Sequence, residues 1–91
     1  MIRSFGNRET EHLFKDLGSK QFQAIQKVAR RKLYQVDQAR GLRDLALPGN
    51  HLEALKGDRA GQYCIRINDQ YRICFRWSEG DAHHVEIVDY H

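Results

Sequence analysis

The last third of the chain alternates. In QYCIRIND, Tyr63, Ile65 and Ile67 alternate with Cys64 and Arg66. In QYRICFRW, Tyr71, Ile73, Phe75 and Trp77 alternate with Arg72, Cys74 and Arg76, and in HHVEIVDY, Val85 and Ile87 alternate with His84 and Glu86. Period two with one apolar face predicts antiparallel strands whose greasy side is covered by helices. Turns are expected at Asn68-Asp69-Gln70 and at Ser78-Glu79-Gly80-Asp81. Like faces must match across a hairpin. A three-residue turn at 68–70 therefore pairs Ile67 with Tyr71, Arg66 with Arg72, Ile65 with Ile73 and Cys64 with Cys74. Phe75 and Trp77 share the face of Ile73 and belong to the core.

That register sets two arginines opposite each other on the face away from the helices, an unfavourable pair. A bound anion would relieve it, as would splaying into solvent or pairing with Glu86. The two cysteines become neighbours, expected to pack as reduced thiols. Two cysteines make neither a disulfide framework nor a zinc pattern. His83 and His84 have no third ligand at a convincing spacing and read as strand residues.

Upstream, MIRSF reads as a short strand with Ile2 and Phe5 inward. Asn7 suits an N-cap, with Glu9 and Glu11 in the first turn of a helix that buries Leu13, Phe14 and Leu17 and stops at Gly18. Ser19 can cap a second helix, whose apolar positions Phe22, Ile25, Ala29, Leu33 and Val36 keep the helical period up to Gly41. Leu42, Leu45 and Leu47 lie in a connector ending in the turn Pro48-Gly49-Asn50. HLEALKGDRAG supplies a short strand and a polar turn.

With 91 residues, the chain is expected to form one domain, residues 1–91. No apolar run approaches the ~20 residues of a membrane helix, and the N-terminus carries no signal-peptide stretch. A soluble cytoplasmic protein with no membrane contact is expected. Charge is concentrated: residues 20–43 hold seven basic groups (Lys20, Lys27, Arg30, Arg31, Lys32, Arg40, Arg43) against Asp37. Such clustering suits a polyanion or an acidic partner, or equally a solvated helix face.

LKGDRAG, YRICF and the terminal VDYH, taken in this order and spacing, resemble the HigB-type toxins of the RelE-like superfamily, and the resemblance runs from MIRSF to His91. It implies an α+β fold: a compact domain with an N-terminal strand, two helices, then antiparallel strands in one sheet with the helices on one face. It also implies a ribosome-dependent, metal-independent endoribonuclease that needs no cofactor, cuts mRNA in the ribosomal A site and so inhibits translation. The implied partners are a cognate HigA-type helix-turn-helix antitoxin, operator DNA only through that antitoxin, and ribosomal RNA through the basic helix 20–40. The family's site residues carry over to Lys56, Arg72, Asp89, Tyr90 and His91. Some members have a histidine three residues before the lysine. Glu53 stands there in this chain, with His51 nearby, so the general base is open among Glu53, His51, Asp89 and His91.

The residue chemistry is compatible with this. Cleavage by 2′-hydroxyl attack needs a base, an acid for the leaving 5′-oxygen, and cations on the phosphoryl oxygens. Arg72 offers a planar fork for phosphate, and Lys56 a point charge. KGDRAG lacks the GKS or GKT of a Walker loop and could otherwise be a polar turn. His91 can exchange protons near neutral pH, Asp89 can act as base or orient His91, and Tyr90 can stack on a base or pack at the sheet edge. Arg59, Arg66 and Arg76 are candidate RNA contacts. Two other readings stand beside this one: a non-nucleolytic inhibitor of the same fold that poisons gyrase, and an attenuated toxin acting mainly in transcriptional autoregulation with its antitoxin.

Overall fold

The structure, a computed structural model, describes residues 1–89. Asn7 caps α1 (Arg8–Phe14), its side chain accepting a hydrogen bond from the Thr10 amide at 2.9 Å. The helix ends earlier than the glycine signal implied. Asp16 takes a left-handed φ of 62°, the Leu17 amide reaches back to the His12 carbonyl at 2.8 Å, and the Asp16 amide reaches Leu13. That is a Schellman closure with aspartate in the place glycine usually fills. Leu17 is consequently exposed, not buried.

Ser19 does not cap the second helix: its Oγ accepts from the Phe22 amide and donates to Glu9, closing the turn that precedes a 3-10 segment at Gln23–Ile25, and neither that segment nor the helix after it carries a side-chain cap. The second helix, α2, runs Gln26–Gln38 and not 20–40. All five stripe residues, Phe22, Ile25, Ala29, Leu33 and Val36, are buried. Gly41 precedes a second 3-10 turn, Leu42–Leu45, in which Leu45 is buried while Leu47 beyond it is exposed.

Four strands form one antiparallel sheet in sequence order: β1 (Glu53–Ala54), β2 (Gln62–Arg66), β3 (Tyr71–Ser78) and β4 (Asp81–Asp89). The register of β2 on β3 is the expected one: Cys64 faces Cys74, Ile65 faces Ile73, and Arg66 faces Arg72. Ile65, Ile67, Ile73, Phe75, Val85 and Ile87 join Leu13, Leu33 and Val36 in the core, and Trp77 packs against it.

Between β3 and β4 the ladder breaks. Cys74 faces Glu86, yet Arg76 faces His83, so His84 is the extra residue of a bulge, with φ 56°. His84 is therefore not the ordinary alternating residue it was expected to be, and His83 takes the place opposite Arg76. The bulge also shapes the N-terminus. MIRSF lies parallel to β4 but pairs only as two isolated bridges, Ile2 with Ala82 and Phe5 with Val85, one on each side of His84. An uninterrupted first strand has no continuous partner to follow. The edge is covered all the same: the amides of Ala82, His84, Val85 and Ile87 donate to Met1 O, Ser4 Oγ, Ser4 O and Thr10 Oγ1. Asp81 holds this segment through Arg3 and the terminal amine, and these cations lower its pKa.

Candidate active site on the outer face of the sheet

One sheet face packs on the helices, and the register decides what the other presents. Three rows cross it. The first sets Arg66 beside Arg72 and Val88. The second runs Glu53, Cys64, Cys74, Glu86. The third holds Gln62, Arg76 and His83. Arginines thus flank a central row that has a carboxylate at each end and two thiols between.

The opposed arginines are relieved from within the chain. Arg66 Nη2 lies 2.5 Å from Asp69 Oδ1 in the adjoining turn, and that hydrogen bond, with the arginine charge and that of Arg72, lowers the Asp69 pKa. Glu86 is committed elsewhere: Arg59 Nη1 reaches it at 3.3 Å and Gln62 Oε1 at 3.1 Å. Of the expected alternatives, pairing with Glu86 falls to Arg59, not to Arg66 or Arg72. Gly6 makes room for this carboxylate, since a Cβ there would stand 2.7 Å from Glu86 Oε2 and 3.0 Å from its Cβ.

Both cysteines are free and fully buried. Cys64 Sγ lies 3.5 Å from Glu53 Oε1. Its hydrogen bond with Cys74, burial and the Glu53 carboxylate all raise the Cys64 pKa, while Cys74 is lowered by accepting from Cys64, against its own burial. These thiols fill the sheet face as small apolar groups and leave the ionic work to the rows around them.

Asp89 stands opposite Tyr71, on the helix side of the sheet, and is exposed at the strand's end, where it accepts from Gln70 Nε2 at 3.1 Å. It is close to Arg72 along the chain register but turned toward the 68–70 turn. Tyr90 and His91 lie outside the described residues. Lys56 is exposed and sits at the far end of the sheet: the Leu55 amide bonds Gln62 O, level with Arg76 and not with Arg72. Four residues of strand, about 13 Å, separate that level from Arg72. Lys56 therefore groups with Arg59 and with Arg76, whose Nη1 lies over Gly61. His51 is exposed, with φ 48°, just before β1. Among the described residues, no three His, Cys, Asp or Glu side chains converge on a metal position.

Lys32 was not expected to be part of the support. It is buried, and its ammonium donates to the carbonyls of Arg66 (2.5 Å) and Gly49 (3.4 Å). Burial, then the charges of Arg31 and Arg66, lower its pKa. Asn50, also buried, accepts from the Arg66 amide at 2.6 Å and donates to Gln35 and to the Leu45 carbonyl. Two polar residues thus clamp the end of β2 that presents Arg66. Lys32 adjoins Leu33 at the margin of the apolar stripe, which is a readable hint; nothing in the turn sequence singles out Asn50.

The arrangement of two helices and a four-strand antiparallel sheet is the RelE-like toxin fold. Among solved structures it is similar to the YoeB–YefM complex of Staphylococcus aureus (TM-score 0.62, 18% identity, covering 100% of this chain and 98% of that one) and to the YoeB dimer of the same organism (TM-score 0.61, 18% identity, 99% and 97%). The family described as "RelE-like toxin of type II toxin-antitoxin system HigB" matches residues 3–91, and the chain belongs to it. Toxin HigB-1 of Vibrio cholerae serotype O1 is 42% identical over 60 residues, which span 65% of this chain and 63% of that protein. Endoribonuclease HigB of Proteus vulgaris is 33% identical over a 93-residue alignment that covers both chains completely.

Proposed function

We propose that this toxin is an endoribonuclease that cuts mRNA in the ribosomal A site, without a metal, and that it works on the outer sheet face. The observation that carries the reading is the juxtaposition of Arg66 and Arg72 in register beside the strand end that leads to Asp89, Tyr90 and His91. The name of the Proteus vulgaris relative supports the activity class.

Arg72, with Arg66 beside it, holds the scissile phosphate and stabilises charge on its equatorial oxygens. The 2′-oxygen attacks phosphorus as a base takes its proton, and the bond to the 5′-oxygen breaks as an acid returns one. Glu53, His51 and His91 are the groups proposed for these roles, while Asp89, on the helix side of the sheet and bonded to Gln70, is proposed to position the end of the strand. Tyr90 stacks on or anchors the nucleotide. Lys56, Arg59 and Arg76, at the other end of the face, hold a neighbouring phosphate of the same strand, not the scissile one. Dependence on the ribosome is part of this reading: a decoded codon held by the ribosome supplies the alignment of the attacking oxygen. A HigA-type helix-turn-helix antitoxin neutralises the toxin and carries it to operator DNA, and the protein acts in the cytoplasm.

The test is cleavage of a defined mRNA, free and on programmed ribosomes. Cutting only on ribosomes, with Arg72→Ala slower by about 10²- to 10³-fold and deletion of His91 inactive yet normally folded, supports the reading. Equal cutting of free and ribosome-bound mRNA, or a fully active Arg72→Ala, contradicts it.

A further inference from the structure

The outer sheet face holds a pair of thiols that the proposed cleavage does not use. Cys64 and Cys74 face each other across β2 and β3, both fully buried and both free. The ladder decides what kind of pair they make. The Ile67 amide donates to the Tyr71 carbonyl, so the odd-numbered residues of β2 bond to β3. The even-numbered ones bond the other way: the Arg66 amide donates to Asn50 O, and the Gln62 carbonyl accepts from the Leu55 amide. Cys64 and Cys74 are therefore a non-hydrogen-bonded pair, the type whose Cα atoms stand about 4.5 Å apart. Disulfides span Cα separations of about 4.4–6.8 Å, so the two sulfurs can be joined without shifting either strand.

The surroundings give the two cysteines different characters. The hydrogen bond from Cys64, then the charges of Arg59 and Arg72, favour the Cys74 thiolate against its burial. The same hydrogen bond, burial and the Glu53 carboxylate keep Cys64 protonated, and Glu53 Oε1 lies 3.5 Å from its Sγ. A thiol that ionises more readily beside a partner thiol is the arrangement of a redox-responsive pair. What covers it is a side chain and not a packed strand. Arg59 reaches from the β1–β2 connection to Glu86 on β4, and Glu86 faces Cys74, so the guanidinium crosses the sheet at the level of Cys74. Arg59 is 43% exposed, and when it swings aside a small oxidant reaches the Cys74 sulfur.

We propose that Cys64 and Cys74 are a modification site, which a peroxide converts reversibly into a cross-strand disulfide. The Cys74 sulfur attacks one oxygen of hydrogen peroxide, the O–O bond breaks, and the thiol proton leaves with the departing hydroxide as water; Cys74 becomes a sulfenic acid. The Cys64 sulfur then attacks the Cys74 sulfur while Glu53 takes the Cys64 proton. The S–S bond forms, the S–O bond breaks, and the departing hydroxide collects that proton as a second water. Two thiols lose two electrons in all, and one hydrogen peroxide becomes two waters. Disulfides in a reducing cytosol are typically transient and redox-sensing, and exchange with a small thiol returns this one to the reduced pair. The link lies one row from Arg66 and Arg72 and takes from Glu53 its thiol donor, so oxidation alters the face on which the toxin is proposed to act.

The experiment treats reduced full-length toxin with hydrogen peroxide, alkylates the remaining thiols in denaturant and reads intact and tryptic masses. The wild type should lose two hydrogens, take up no alkyl group, and yield peptides 60–66 and 73–76 joined through Cys64 and Cys74. Dithiothreitol should reverse all three. The linked monomer should melt about 5–10 °C higher, because the bond restricts the unfolded chain. Cys64→Ser should stop at a Cys74 sulfenic acid that dimedone traps, and Cys74→Ser should keep Cys64 as a thiol; melts of both variants check folding. Any of three results from the wild type overturns the proposal: two alkylated cysteines after peroxide, a link between two molecules, or oxidation of Cys74 to the sulfinic acid without a link.

Discussion

Thr10 is a helix residue that completes the edge of a sheet. Its Oγ1 accepts from the Ile87 amide at 3.0 Å in a buried setting. Thr10→Val keeps the shape and removes the acceptor, leaving that amide unsatisfied. The expected loss is about 1–3 kcal/mol, seen as a lower urea midpoint at constant m value, and Thr10→Ser should recover most of it. Lys32 makes a prediction of the opposite kind. Its folded pKa is depressed below the ordinary 10.5. Below the folded value the amine is charged in both states and contributes no pH dependence. Between the folded value and 10.5 the unfolded chain holds more protons, so stability rises with pH. Comparing denaturation of wild type and Lys32→Met from neutral to alkaline pH should show that increment only in the wild type. An identical slope in the two would remove Lys32 as its source.

Among the elements, the N-terminal segment and β4 depend on each other at Gly6. The missing side chain is required by the Glu86 carboxylate, which lies where a Cβ would be. Gly6→Ala should push Glu86 off Arg59 or displace the segment, costing about 1–3 kcal/mol. Gly6→Ala with Glu86→Ala should recover part of that loss, measured as a non-additive double-mutant cycle. This contact also marks a limit of sequence reading. The strands of the last third were legible because burial on one face writes itself as alternation. The bulge at His84 was not, because one inserted residue leaves the residues on either side alternating as before. The end of α1 was misplaced for a related reason: Gly18 is the stronger local signal, but the closure is made by Asp16, a residue that tolerates the left-handed region less conspicuously than glycine.

For the whole molecule, the hairpin register is the part of the candidate site that the sequence determined most directly. A three-residue turn and matched apolar faces leave no other place for Arg72 than opposite Arg66. The relation of Lys56 to Arg72 was not legible, because it depends on how the two-residue β1 pairs with β2 (Glu53 opposite Cys64), and two residues carry no periodic signal. The same register divides the outer face into an arginine pair at the 68–70 turn and a cationic group around Arg59 and Arg76. It makes Arg72 the centre of the catalytic claim. The most direct test is mapping of 5′ ends in cellular mRNA after brief induction of wild type and of Arg72→Ala. Sharp new ends within translated frames, present with wild type and lost with the variant, are the predicted result. Growth arrest without new ends, or the same ends from both proteins, would contradict it.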